Sequence, residues 1–233
     1  MKKITFLFAL IGGISFGQEF LQPSDAFSHK EITYINLADG TELQGTIDDI
    51  DRKKGLIEEI VIKDGNGKKI KLKPEDVKSM YLMPTKMNKL TKMMESFHEV
   101  NNYSDKRLNN NLMGQGYVYF ENVPVMMKKK RTTMLMQLLN PDFSSTIKIY
   151  HDPYAKETTS LGFGGISVAG GIDKSYYISK DAEVAYKIEK SDYKDKFMPI
   201  FQSCTAVVDK YKSDISWRDL EKHVYEYSTT CAK

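Results

Sequence analysis

The stretch ITYINLADGTELQGTI, residues 32–47, decides how this chain is read. Two short runs rich in β-branched residues, 32–37 and 42–47, flank Ala38-Asp39-Gly40-Thr41. Asp-Gly between such runs is the strongest short signal for a β-hairpin, because both central residues of a type I′ turn take positive φ. The same texture continues outward. Residues 56–63 give a third strand through Ile57, Ile60, Val61 and Ile62. Asp64-Gly65-Asn66-Gly67 turns it into 68–73, where Ile70 and Leu72 alternate with lysines. Pro74-Glu75-Asp76-Val77 suits one helical turn, since proline is tolerated at its start. A fifth strand is expected over 79–83. Five short strands with a helical turn before the last resemble the small SH3-like or Sm-like barrels, a pattern that names no ligand.

Beyond this unit the period changes. Met87, Leu90, Met94 and Phe97 fall on one helical face, and 101–111, with five asparagines, reads as a linker. Strands are expected near 117–120, 124–129, 133–139, 146–150, 164–168, 174–179 and 183–188, with turns at short intervals. The tail is helical. Ser191 is placed to cap a helix carrying Tyr193, Phe197, Ile200, Cys204 and Val208, with a kink or a fresh start at Pro199. Ser216 with Asp219 begins another, which carries Trp217, Leu220, Val224 and Tyr227. The expected fold is thus mainly β, of the α+β kind. It has an SH3-like five-stranded barrel at 31–83, a helix and linker at 84–115, an antiparallel β domain at 116–190, and a helical hairpin at 191–233 packed on it. Residues 18–30 show no period and read as a loose leader.

The first residues place the chain. MKKITFLFALIGGISFGQ has two lysines, an uncharged run over 4–17, and small residues at Ser15 and Gly17. About fourteen residues are too few to cross a bilayer, which takes roughly twenty. The order is that of a secretory signal peptide over 1–17, cut after Gly17. Nothing after Gln18 resembles a transmembrane segment. The expected location is therefore the periplasm or the outer-membrane periphery, or the cell surface. Export also interprets Cys204 and Cys231. Disulfides persist in oxidising compartments, so the two are an obvious pair, against the alternative of two separate buried thiols. A bridge closing about 27 residues contributes on the order of 3 kcal/mol.

Composition bounds the function. Thirty-four Lys and Arg against 31 Asp and Glu give a formal charge of +3, too little by itself for a nucleic-acid surface. Without Lys2 and Lys3 the balance is 32 to 31, so any electrostatic function must be local. LGFGGISVAGG, residues 161–171, is glycine-rich but fails both nucleotide signatures. Ser167 stands where the dinucleotide fingerprint needs its third glycine, and Gly171 where a P-loop needs lysine. No cofactor is called for.

Three strings carry chemistry. In His151-Asp152-Pro153 an aspartate follows a potential base, as a hydrolase-like site would use, though Asp-Pro after a strand is also good turn chemistry. Met80, Met83, Met87, Met93 and Met94, with His98 nearby, offer thioether ligands suited to Cu(I), but they read first as a flexible apolar packing face. Lys128-Lys129-Lys130-Arg131 is a basic cluster between two strands, suited to anionic headgroups, to an acidic partner, or merely to solvent.

The segments YVYFENVPVMMKKKRTTMLMQLLNPDFSSTIKIYHDPYAKET (117–158) and GGIDKSYYISK (170–180), with the Phe, Cys, Trp-x-Asp-Leu, Lys-His-Val-Tyr-Glu-Tyr and Cys of the tail, resemble a group of uncharacterised exported proteins common in the Bacteroidota. The signal peptide, ending in a small residue just before Gln18, is similar to those of that phylum. The resemblance spans roughly the last 120 residues and implies export and paired cysteines. It brings no functional residue with it. The expectation is an exported envelope protein that is non-enzymatic, a binding or scaffold component whose partner is another envelope protein.

Overall fold

The computed structural model describes residues 20–85, 103–155 and 174–232. The signal peptide, the Met87–His98 stretch and the 161–171 glycines lie outside them. Strands β1 (Ile32–Leu37), β2 (Glu42–Lys53), β3 (Leu56–Lys63), β4 (Lys69–Leu72) and β5 (Val77–Leu82) come first, with a 3-10 turn at Pro74–Asp76. A short helix α1 (Asn110–Gly114) leads into β6 (Val118–Met127), β7 (Lys130–Gln137), β8 (Ile147–His151), β9 (Ser175–Lys180) and β10 (Ala185–Glu189). Helices α2 (Tyr193–Phe201), α3 (Thr205–Tyr211) and α4 (Leu220–Thr230) close the chain.

The fold is mainly β, as the alternating sequence requires. The strands run β4-β3-β2-β1-β5-β6-β10-β9-β8 in one mixed sheet, with β7 on the other side of β6. Every pairing is antiparallel except β6 with β10, a parallel contact that the expectation of an antiparallel second unit lacked. The first five strands and their helical turn lie where the sequence puts them. Strand β5 takes β1 on one edge and β6 on the other, so the sheet runs on past the fifth strand. Beyond β8 it curls back: Leu138 bridges Tyr150, and the Leu139 N–H donates to the Ile149 carbonyl at 2.8 Å.

Several local readings change. The hairpin at 32–47 forms, but only Gly40 takes positive φ, at 90°. Asp39 uses its side chain instead, its Oδ1 accepting the Thr41 N–H at 2.8 Å. Strand β2 continues past Ile47 to Lys53 through two register shifts, and Asp48 in the first of them sits between Lys63 and Lys69. It turns at Lys54-Gly55, where both φ values are positive, 52° and 85°. The two strands expected around Pro124 are one. Pro124 falls after the β5 ladder ends at Glu121 and before the β10 ladder begins at Val125, where a missing donor interrupts no pairing on that edge.

The expected loose leader is the largest change. Phe20, Leu21 and Phe27 are buried, with Phe20 against Phe143 and Tyr176, and Phe27 edge-on to Phe120. Backbone bonds from Leu21 to Leu139 and from Ser28 to Met83 tie the strap down, and Gln137 exchanges bonds with Ser24 and Gln22. Three large apolar side chains at irregular spacing bind a strap by its pockets, so no period announces it.

The tail holds three helices, which the sequence read as a hairpin. Its break comes not at Pro199, inside α2, but at 202–204, so α2 and α3 are separate. Lys180 seals the end of α2, donating to the Ile200 carbonyl at 2.9 Å and the Ser203 hydroxyl at 2.8 Å. At its start the N-cap is Asp192 rather than Ser191, and the Asp192 carboxylate accepts the Glu189 N–H. Ser216 caps as expected, accepting the Arg218 N–H. Cys204 precedes α3 and Cys231 ends α4, with Cα atoms 5.7 Å apart, a separation that suits a disulfide.

Candidate functional site

His151 and Asp152 sit at the end of β8, where successive side chains point to opposite faces. The structure gives them separate surroundings. His151 is half-buried and lines a recess of about 10 Å³, room for one water, beside Arg52, Gly55, Ile57, Phe120 and Pro153. Burial pulls its imidazole below the usual range, against the opposing pull of Asp25 and Asp152. In the same recess the Arg52 Nη2 is buried with no hydrogen-bond partner among the described residues.

Asp152 is fully buried and its oxygens are all engaged. Oδ1 accepts the Tyr154 N–H at 2.9 Å. Oδ2 accepts the Ser175 hydroxyl at 2.7 Å and the Lys187 ammonium at 3.0 Å. None of these bonds goes to His151. Burial alone would lower the Lys187 pKa, but its bonds to Asp152 and Glu189 outweigh that and raise it. The carboxylate thus clamps the exit of β8 to β9 and β10. An aspartate used this way neither orients an imidazole nor activates a hydroxyl, since Ser175 donates to an acceptor that is already ion-paired.

A second polar cluster was not singled out from the sequence. Lys148, with a side chain only 10% exposed, bridges Glu121 and Asp105 at 2.7 Å each. The Tyr150 hydroxyl donates to the same Glu121 oxygen at 2.7 Å, and Arg107 holds Asp105 at 2.6 Å. Burial would raise the Asp105 carboxyl, but Arg107 and Lys148 hold it far below the usual range. Burial and Glu121 push the Tyr150 phenol far up. Two cations and two carboxylates balance, so the cluster pins the 103–109 segment to the sheet. The available signal was Lys148 and Tyr150 alternating between Ile147, Ile149 and His151, which gives them a common face.

The remaining candidates are quickly placed. Met80 is fully buried in the core and Met83 packs against it, so both thioethers face protein; Met87, Met93, Met94 and His98 lie outside the described residues. Among the described residues no three His, Cys, Asp or Glu side chains are grouped to hold a metal. His223 is buried among Tyr193, Phe197, Phe201 and Tyr211, its Nδ1 2.5 Å from the Tyr193 hydroxyl and its Nε2 unpartnered among the described residues. Burial takes its pKa down to about 4, so at neutral pH it is an uncharged core side chain.

The basic cluster forms the tip of the β6–β7 hairpin. Lys128 and Lys129 are its turn, with φ of 44° and 70°, and Lys130 and Arg131 open β7. All four are exposed, and no carboxylate pairs with any of them among the described residues.

Comparison of the chain with family models, with curated proteins and with solved structures finds no match. No helix among the described residues is long and apolar enough to cross a membrane.

Proposed function

We propose that this is an exported cell-envelope protein, stapled by Cys204–Cys231, that works by presenting binding surfaces to a partner in an envelope assembly and not by catalysis. The observation that carries the reading is the state of Asp152. The one aspartate placed beside a histidine in a catalytic-looking string is wholly engaged in bonds to Tyr154, Ser175 and Lys187. The Glu121–Lys148 cluster supports the same conclusion, its charges neutralised within the fold.

Export rests on the leading apolar segment, on the cysteine pair and on the strap. Phe20 is buried, so a chain cut after Gly17, three residues before it, keeps the anchor of its strap. The test is the native protein. Its N-terminus should begin at Gln18, it should fractionate with the envelope, and its thiols should resist alkylation until reduced. Crosslinking in intact envelopes followed by mass spectrometry should recover a reproducible envelope partner. Cytosolic material that retains Met1 and has both thiols free would overturn the reading.

A further inference from the structure

The β6–β7 tip carries four consecutive exposed cations, none of them paired with a carboxylate among the described residues. Without Lys2 and Lys3, Lys128, Lys129, Lys130 and Arg131 account for the whole of the chain's positive balance, because the other 28 cations are outnumbered by the 31 carboxylates. Some exposed lysines elsewhere share or meet a carboxylate, as Lys63 and Lys69 share Asp48, Lys71 meets Glu59, and Lys210 meets Glu226. At the tip four cations stand side by side in a two-residue turn and the start of a strand.

The backbone adds an independent observation. A primed turn wants Asn, Asp or Gly, because an ordinary side chain at positive φ is strained by about 1 kcal/mol or more. Two other turns of this protein with consecutive positive φ honour that demand in part, one with Gly55 and one with Asp181. Among the described residues the tip alone puts lysine at both positions. Strain kept where local stability would favour Asn-Gly marks a position held for something outside the fold. Beside the cations, Met126 is 44% exposed, an apolar side chain directly across the ladder from Arg131.

We propose that this hairpin tip docks on an anionic lipid surface, the cations on the headgroups and Met126 at their boundary with the acyl chains. A convex finger of cations with one exposed thioether suits a planar anionic interface. An acidic peptide would need a groove, and a hairpin tip has none. Lysines near such a surface each contribute about a factor of five to ten in partitioning, and the effect acts within roughly 8 Å at physiological salt. The proposal rests on the envelope reading only for the protein's access to a membrane, so fractionation of cells tests that reading and purified vesicles test this one.

The experiment is co-sedimentation of the purified protein with vesicles of phosphatidylcholine alone or with about one-third phosphatidylglycerol. Lys128→Asn with Lys129→Gly removes two charges and supplies the preferred turn residues, so folding is protected. Lys130→Gln with Arg131→Gln removes the other two at ordinary strand positions, and Lys128→Arg with Lys129→Arg keeps the charge. The wild type and the arginine variant should favour the anionic vesicles. Each neutralised variant should lose roughly thirtyfold in partitioning, and 0.5 M salt should abolish the difference, estimates that follow from about a factor of five per charge and a Debye length of roughly 4 Å. Equal binding to both vesicle types, or neutralised variants within threefold of wild type, overturns the proposal. So does a neutralised variant that keeps its vesicle binding while losing crosslinks to an acidic envelope protein.

Discussion

Replacing Asp152 by asparagine separates a structural clamp from a catalytic carboxylate, because the two roles predict opposite signs. The amide keeps an oxygen for the Tyr154 N–H, 2.9 Å away, but loses the charge that serves Ser175 and Lys187. A hydrogen bond to a charged group contributes about 1.5–3 kcal/mol. Both losses are discounted here. The Lys187 side chain is 34% exposed and recovers water, which brings its share to about 1 kcal/mol. Ser175, only 3% exposed, can rotate its hydroxyl to accept from the new amide, so its share is again about 1–2 kcal/mol. The expected cost is about 2–3 kcal/mol, and alanine, which abandons Tyr154 as well, should cost about 4 kcal/mol. Urea denaturation with an unchanged m-value reads this directly. Adding Lys187→Met to Asp152→Asn should restore about 1 kcal/mol, since removing both partners leaves no ammonium stranded against an amide. A catalytic carboxylate is held at some expense to stability, and its amide variant commonly gains stability. Asp152→Asn within 0.5 kcal/mol of wild type, or more stable than it, would refute the clamp.

Three further outcomes follow from the same structure. Gly55→Ala should cost about 3 kcal/mol or more, because a Cβ there combines a φ of 85° with a contact 2.3 Å from the Pro153 carbonyl oxygen; Gly67→Ala, at φ 79° in open space, should cost about 1 kcal/mol, and equal thermal shifts would refute the close approach. Burial pushes the Asp142 carboxyl up to about 7, so between its ordinary 3.8 and 7 the folded state holds a proton the unfolded state has lost, and stability falls as pH rises through that window. Asp142→Asn should therefore be more stable than wild type at pH 8 and match it near pH 4 in pH-resolved denaturation, and parity at pH 8 would count against it. The same variant unmasks the opposite trend of His223, whose depressed pKa makes stability fall as pH drops from 6.5 towards 4. Cys204→Ser with Cys231→Ser should lose about 3 kcal/mol for a span of 27 residues, and no loss would mean that the pair stays reduced.

How far the sequence could be read depended on whether its signals were local. The strands from Ile32 to Leu82 and the Ser216 cap were legible because alternation, Gly-containing turns and capping residues act within a few positions. No fresh helix starts at Pro199 because a proline near a helix end removes one bond that the final turn can spare, and the break falls at the next exposed residues. The N-terminal strap stayed hidden because Phe20, Leu21 and Phe27 pack against Phe143, Tyr176 and Phe120, more than 90 residues away. Non-local pairing also hid the better polar site. Lys148 looked like one more strand lysine, and only the curl of β8 back onto β6 and β7 brings Glu121 and Asp105 to it. His151-Asp152 drew notice through adjacency, yet adjacency in an extended strand separates two side chains rather than joining them.

Charge placement then bears on how such a protein acts. Exposed ion pairs such as Lys53 with Glu58 or Lys212 with Asp209 contribute little to stability. Their effect is on the field, because a cation beside a carboxylate is invisible beyond a Debye length. The four adjacent cations at 128–131, with no carboxylate paired to them among the described residues, make a concentrated positive charge at one tip. Charge concentrated in this way would favour meeting an anionic interface tip first. Steering of that kind asks for no pocket and no perturbed catalytic group. It asks for charge on a rigid support, and the β6–β7 ladder, paired without a break from Phe120–Gln137 to Met127–Lys130, is such a support.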